Sequence, residues 1–174
     1  MSISIKLQRG FSLIEVLITL LIVAIGLMGT ATMQLTGLNS NQSAYLRSQA
    51  SILVYDMADR MRANAASAIA GDYDGFKFKA SKSELEGLVS GNCTATAGGC
   101  SGDGQSATDK YEWAQNIMGA GSESALLPGA IGEISMDENG FSTVSISWQE
   151  LDWDGNSDLR NTSDKSFSIK FLVE

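Results

Sequence analysis

The sequence contains no histidine, one proline and two cysteines among its 174 residues. Without histidine, the common serine and cysteine triads are excluded, because each uses an imidazole as its base. No glycine-rich phosphate loop follows a predicted strand. An enzymatic function therefore has no support, and no cofactor is expected. Because the single proline is Pro128, no pyrrolidine ring interrupts a helix earlier in the chain.

Charged side chains are also absent from Val16 to Leu46. As a helix, Phe11 to Gly29 alone covers about 28 Å, close to the hydrocarbon thickness of a bilayer, so this segment can span a membrane. Lys6 and Arg9 precede the segment. The positive-inside rule therefore places the N-terminus in the cytoplasm and the chain after Thr30 on the other side of the membrane.

The formal charge of the chain is −8, with 20 acidic against 12 basic side chains. Such an acidic surface repels phosphate backbones, so no nucleic-acid partner is expected. The length of the chain leaves room for one membrane helix and a single globular head of ordinary size.

Glu15 is an acid within the apolar segment. A carboxylate costs about 2.5–3.5 kcal/mol at the centre of a bilayer and less near its edge, so this one needs a partner. No basic residue on the same helix can reach it. Cleavage between Gly10 and Phe11 would create an amino group one helical turn away, in the same subunit or in a neighbour. The residues therefore predict a counter-ion that exists only after processing.

The segment RGFSLIEVLITLLIVAIG resembles the class III signal of type IV prepilins. In that family a short basic leader ends in glycine, phenylalanine follows the cut, and glutamate is fifth in the mature chain. The resemblance implies that a prepilin peptidase/N-methyltransferase cleaves after Gly10 and methylates Phe11. It also implies that the subunits polymerise through their apolar helices, with Glu15 taking part in assembly.

Two further segments, LRSQASILVYDMADRMRAN and LLPGAIGEISM, are similar to minor pilins of type IV pili. This resemblance implies a subunit that helps initiate pilus assembly at the tip and so supports twitching motility and adhesion. Its implied partners are other minor pilins and the major pilin. Before assembly it would lie in the inner membrane with a periplasmic head, and afterwards in the pilus at the cell surface.

Other interpretations fit part of the pattern. A secretory signal could end at the small residues Gly29, Thr30 and Ala31, and a plain single-pass anchor would share the apolar run, but neither explains Glu15. A type II secretion pseudopilin shares the same N-terminal chemistry. A membrane-anchored, calcium-dependent binding module is the alternative from a different class.

The helix is expected to continue beyond the membrane, as one helix from Phe11 to about Ala65 that is on the order of 80 Å long. Asp56 and Arg60 are spaced for an ion pair within it. Apolar residues that recur at spacings of three and four predict the face that packs on the head: Leu46, Ala50, Leu53, Met57 and Met61. The predicted organisation is a leader at 1–10, a transmembrane or filament-core helix at 11–36, its amphipathic continuation at 37–65 and a globular head at 66–174.

The head is predicted to be α+β, as in type IV pilins, with the long helix covering one face of an antiparallel sheet of at least three strands. Glycine-rich chain from Ser67 to Gly104 is expected to be a connecting region. The predicted elements after it are a short helix from about Asp109 to Met118, strands at Ile131–Met136, Phe141–Gln149 and Phe167–Val173, and a turn at 137–140. Val144, Ile146 and Trp148 are expected to point inward.

Cys93 and Cys100 are the only cysteines, and on the oxidising side of the membrane a disulfide is expected. Asp152, Asp154 and Asp158 place oxygens at the alternating positions typical of calcium loops. No glutamate closes that loop at the usual place, so a solvated acidic hairpin loop without metal is the preferred interpretation.

Overall fold

The computed structural model describes residues 10–88, 100, 102–119, 125–152 and 161–173. By its internal contacts the chain divides into two units, Met1–Gln42 and Ser43–Glu174. In chain order the elements are α1 (Leu13–Ala63), α2 (Ala65–Ala70), β1 (Lys77–Lys79), α3 (Lys82–Gly87), α4 (Gly102–Ile117), β2 (Ile131–Met136), β3 (Phe141–Asp152) and β4 (Asn161–Leu172). The predicted α+β class is confirmed.

The first unit, where it is described, consists of a short non-helical start and the part of α1 that precedes Ser43. Apolar residues dominate this part of the helix, and their side chains are exposed. The helix passes without a break through Gly26, Gly29 and Gly37.

The second unit is built on an antiparallel sheet with the strand order β1-β2-β3-β4. In its register Val144 of β3 lies opposite Ile134 of β2 and Ile169 of β4. Strands β2 and β3 form a hairpin, and the turn predicted at 137–140 is confirmed. One oxygen of Asp137 accepts the N–H groups of Asn139 and Phe141 at 2.9 Å each.

The second part of α1 packs on this sheet. All five predicted core positions of the helix are at most 7% exposed: Leu46, Ala50, Leu53, Met57 and Met61. Val144, Ile146 and Trp148 of β3 are also buried, as their alternation predicted. Phe167, Ile169 and Phe171 of the edge strand β4 are only partly buried against the same core.

Helix α4 contributes the other large part of the core. Trp113 and Ile117 are fully buried, and the indole N–H of Trp113 donates to the carbonyl of Leu53 in α1 at 2.8 Å. Both side chains pack directly against Gly132 of β2, where an added Cβ would lie 2.8 Å from each of them. Glycine at this position is therefore a requirement of helix-on-sheet packing.

Three contacts show the direction of α1 within the second unit. Ser43 donates to Glu150 at 2.8 Å, the Tyr55 and Phe167 rings lie 6.3 Å apart, and the Arg62 guanidinium lies 4.7 Å from the centre of the Phe171 ring. In the β3–β4 register, Phe167 lies opposite Ile146 and Phe171 lies opposite Ser142. The contacts from Ser43 to Arg62 therefore move from Glu150 toward Ser142 along β3, so α1 runs antiparallel to β3. We call the end of the unit at Ser43 and Glu150 the proximal end. The distal end holds α2 and the β2–β3 turn.

The structure corrects the prediction for Ser67 to Gly104. That segment includes most of α2, the short strand β1 and α3, in addition to irregular chain. These elements were missed because they are too short to show periodicity; β1 buries only Phe78, between two exposed lysines. Other bounds also differ: α1 ends at Ala63, α4 begins at Gly102, β3 continues to Asp152 and β4 begins at Asn161. The added helical turns and strand ends are polar, so no apolar pattern in the sequence marked them. The added ends of β3 and β4 are extended because the two strands pair with each other.

Candidate processing and assembly site

The Gly10–Phe11 bond precedes the first helical turn. Helix α1 begins at Leu13, and the carbonyl of Ser12 accepts the N–H groups of Glu15 at 3.0 Å and of Val16 at 3.3 Å. Gly10 is exposed and the Phe11 side chain is 85% exposed. Exposed chain outside regular structure is what a peptidase cuts. The leader before Gly10 lies outside the described residues.

Glu15 lies in the first turn of α1 and is exposed. At this end of a helix the unpaired backbone N–H groups stabilise a negative charge by about 0.3–1 kcal/mol. The ion pairs among the described residues do not include Glu15. The helix N-terminus is therefore a local reason for an acid at Glu15, and the sequence argument missed it. It does not replace a counter-ion, so the amino group created by cleavage can still pair with Glu15.

The first part of α1 has the length and composition of a membrane span. An 18-residue window of the helix has a mean hydropathy of 2.4, and none of it is buried within the chain. Its large apolar side chains remain exposed, from 46% for Val16 to 83% for Leu13. A water-soluble monomer rarely exposes a continuous apolar surface of this kind, so it requires lipid or other helices around it.

The threonine hydroxyls on this part of α1 are hydrogen-bonded within the helix. The hydroxyls of Thr19 and Thr30 donate to carbonyls three residues earlier at 2.9 Å, and those of Thr32 and Thr36 donate four residues back at 3.1 Å. Hydroxyls bonded in this way can enter an apolar environment at little cost. Small residues such as Gly26 leave open surface beside the backbone, as in membrane helices that pack closely.

In the head, Arg60 near the end of α1 joins three carboxylates. Its guanidinium lies 2.6 Å from Glu112, 3.1 Å from Asp56 and 3.6 Å from Asp109. The predicted pair between Asp56 and Arg60 is thereby confirmed. Burial acts to lower the pKa of Arg60, but the hydrogen bond to Glu112 and the charge of Asp56 outweigh it and raise the pKa.

Tyr73 extends the same network into the core. Its hydroxyl donates to Asp109 at 2.6 Å and accepts from Asn64 at 3.1 Å. Burial, followed by the hydrogen bond to Asp109, raises the pKa of Tyr73. Each of these groups has a matched partner, so the network fastens α4 to α1 and offers no free acid or base for catalysis.

The predicted disulfide and calcium loop are not tested by the described residues. Cys93 lies outside them, and Cys100 immediately precedes the segment that leads into α4. Asp152 ends β3 opposite Asn161, whereas Asp154 and Asp158 lie outside the described residues. Within the described parts of the chain, no group of three or more histidines, cysteines or acids could hold a metal ion.

Comparison with known proteins gives two family models that adjoin along the chain. The prokaryotic N-terminal methylation motif matches residues 5–31, which include Gly10, Phe11 and Glu15. The type IV pilin Tt1218 family matches residues 32–110, from the middle of α1 into α4. No curated protein and no solved structure matches.

Proposed function

Because the chain belongs to the type IV pilin-like family, we propose that it is a minor pilin that is cleaved after Gly10, methylated on Phe11 and assembled with its apolar helix in the filament core. A pilin with this motif is processed by a peptidase, anchored by its apolar helix and assembled into a pilus. The supporting observation is the position of Glu15, in the first helical turn and four residues from the amino group that cleavage would create. Residues 1–10, 11–36, 37–65 and 66–174 are then leader, core helix, its continuation and head.

The minor role rests on the likeness of two segments of the chain to minor pilins, above all to PilV. One of them, LRSQASILVYDMADRMRAN, forms the part of α1 that packs on the head. The subunit would wait in the inner membrane with its head in the periplasm and associate there with other minor pilins. It would then help to start the pilus at its tip, with the major pilin added beneath it. Pili started in this way would support adhesion and twitching motility at the cell surface.

The test combines the N-terminus of the protein with a deletion phenotype. Mass spectrometry of protein isolated from its native membrane should yield a peptide that begins at methylated Phe11. Deletion of the gene should reduce surface piliation and twitching, and the full-length gene should restore both. An intact Met1, or a peptide that begins near Thr32, would contradict the proposal.

A type II secretion pseudopilin is the second candidate, because it shares the chemistry of Gly10, Phe11 and Glu15. The same deletion strain separates the two, since loss of enzyme export with normal twitching would favour secretion.

For a calcium-dependent binding module, calorimetric titration of the full chain in detergent with calcium should give heat and a thermal shift.

A further inference from the structure

The face of the sheet that points away from the core carries a cavity of about 370 Å³. On this face of β3, Ser147 and Gln149 alternate with the buried residues of the strand. In the register, Ser147 lies between Ile131 of β2 and Ser166 of β4. Gln149 lies opposite Asp164 of β4, and all five residues line the cavity. The two small serines therefore leave a depression between longer side chains near the proximal end of the unit.

The polar side chains of this cavity are accessible and have unused hydrogen-bonding capacity. Gln149, Asp164, Lys165 and Ser166 are exposed, and Ser147 is partly buried. Among the described residues, none of these five side chains takes part in an ion pair or a hydrogen bond. Single groups of this kind on a solvated sheet face bond to water. Because these five converge on one cavity, an entering ligand can replace the water at several of them together.

Gly129 fixes one wall of the cavity. Its φ is +61°, in the left-handed region, and an added Cβ would lie 3.2 Å from the side-chain oxygen of Gln149. The backbone N–H of Gln149 donates to the carbonyl of Pro128 at 2.8 Å. The Gln149 amide therefore packs against a residue that has no side chain. A wall that is formed before binding lowers the cost of ordering the site around a ligand.

The chemistry of the lining narrows the ligand to a neutral molecule rich in hydroxyls. The serine hydroxyls and the Gln149 amide each donate and accept hydrogen bonds, as sugar hydroxyls do. The Asp164 carboxylate can accept from two neighbouring hydroxyls, and the adjacent Lys165 offsets its charge. Ile131 and the aliphatic part of Lys165 offer apolar surface to the C–H groups of a sugar ring. At about 370 Å³ the cavity is near the lower end of the range of about 300–1,000 Å³ for small-ligand sites, which suits one ring.

We propose that this cavity binds one neutral sugar ring of a surface glycan, with Asp164 and Gln149 as its hydrogen-bonding walls and the two serines as its floor. The inference rests on the proposed function, because it names the class of ligand through which the pilus would adhere. All the residues that form the cavity belong to the head, so binding can be measured separately from piliation.

Ligand-observed NMR on the full-length chain tests the binding directly. The protein is kept in a detergent without a sugar head group, and D-glucose, D-galactose, D-mannose and N-acetyl-D-glucosamine are added one at a time. Saturation transfer from the protein should reach at least one of these sugars at millimolar concentration. N-acetylneuraminic acid and glycine are the anionic and zwitterionic comparisons, and they should receive none.

Two tryptophan variants locate the binding. Ser166→Trp should abolish the saturation transfer, because the indole fills the cavity. Ser135→Trp is the matched control, since Ser135 is an exposed serine on the same face of the sheet toward the distal end, and it should keep the transfer. Both positions are exposed, so the urea unfolding midpoints of the two variants should match that of the unchanged protein.

Substitutions of Asp164 test the chemistry of the site. Asp164→Ala should weaken binding about tenfold, because hydrogen bonds to a carboxylate are stronger than those to neutral groups. Asp164→Asn should lose less, since the amide oxygen still accepts. Glu138→Ala, an exposed acid in the β2–β3 turn, is the control and should bind as the unchanged protein does. Equal binding by all three variants would contradict the role of the carboxylate.

Transfer to none of the four neutral sugars would overturn the proposal, and so would transfer to the anion or to glycine alone. Equal transfer in the two tryptophan variants would place the binding elsewhere and overturn the site. If these failures occurred while piliation and twitching depended on the gene, the proposed function would stand without the sugar site. Binding lost only in Ser166→Trp, in a protein whose deletion leaves piliation unchanged, would keep the sugar site and remove the minor-pilin function.

Discussion

Glu15 combines two effects that act on the same carboxylate. The helix terminus stabilises its charge locally, and the amino group created by cleavage would lie one turn away. In a filament, where apolar helices surround the site, only the second effect can come from a neighbouring subunit. This residue is therefore expected to matter more for assembly than for folding or membrane insertion.

Glu15→Ala should leave membrane insertion and cleavage unchanged and strongly reduce incorporation into pili, because the neighbouring amino terminus loses its counter-ion. Glu86→Ala, an exposed acid on α3, serves as the matched control. Incorporation is measured by immunoblotting of sheared pili against total membrane. Normal surface piliation and incorporation in the Glu15 variant would contradict the assembly role.

Gly132 shows how one missing methyl group sets the distance between α4 and the sheet. Gly132→Ala would place a Cβ 2.8 Å from Trp113 and Ile117, both of which are fully buried. Overpacking of this kind typically destabilises a fold by about 1–3 kcal/mol. Gly87→Ala is the control, since nothing lies within 4 Å of its added Cβ. Urea unfolding of the full chain in detergent should separate the two variants, and equal midpoints would contradict the packing argument.

At the scale of elements, the ion-pair network decides how α4 is attached. Arg60 of α1 reaches Asp109 and Glu112 of α4, and Tyr73 holds the second oxygen of Asp109. The indole of Trp113 adds a hydrogen bond to the α1 backbone. Helix α4 is therefore fixed by polar contacts to the second part of α1 and by apolar packing against the sheet.

The raised pKa of Tyr73 predicts a pH dependence of stability. In the folded state burial and Asp109 favour the neutral hydroxyl, whereas in the unfolded chain it ionises near its usual pKa of about 10. The contribution of Tyr73 to the free energy of unfolding is therefore fully present below about pH 10 and is lost as the pH rises further toward the folded-state pKa. Unfolding measured from pH 8 to 11 should show this loss. Tyr73→Phe should reduce the slope, and an unchanged slope would contradict the assignment.

At the scale of the whole molecule, the chain consists of a helix segment with exposed apolar side chains and a head with a conventional core. The head can fold around buried residues of α1, α4 and the sheet, while the first unit has no protein core of its own among the described residues. Its stability as a helix must come from its surroundings, first the lipid and then other subunits.

Leu21→Lys should impair membrane insertion, because a lysine at the centre of a span costs about 2.5–3.5 kcal/mol. Gln42→Lys, outside the most apolar part of the helix, is the control and should insert normally. Alkaline extraction of membranes followed by immunoblotting measures the inserted fraction. Equal retention of both variants would contradict a membrane-spanning role for this segment.

The sequence by itself determined the features that depend on local pattern. Three patterns show which residues are removed from water. They are the uncharged run that follows Glu15, the apolar spacing from Leu46 to Met61 and the alternation in Phe141–Gln149. Helix α1, the β2–β3 hairpin and the buried face of β3 followed from these patterns and are confirmed.

Only the tertiary structure decided what those faces pack against. Periodicity shows that a residue is buried but not its neighbour, so the pairing of Arg60 with Asp109 and the contact of Trp113 with Gly132 could not be predicted. Strand β1 was missed for a related reason, because three residues are too few to show alternation and it exists through its pairing with β2. The Ser142 hydroxyl is buried without a hydrogen-bond partner among the described residues, and this too becomes visible only when distant segments meet around it.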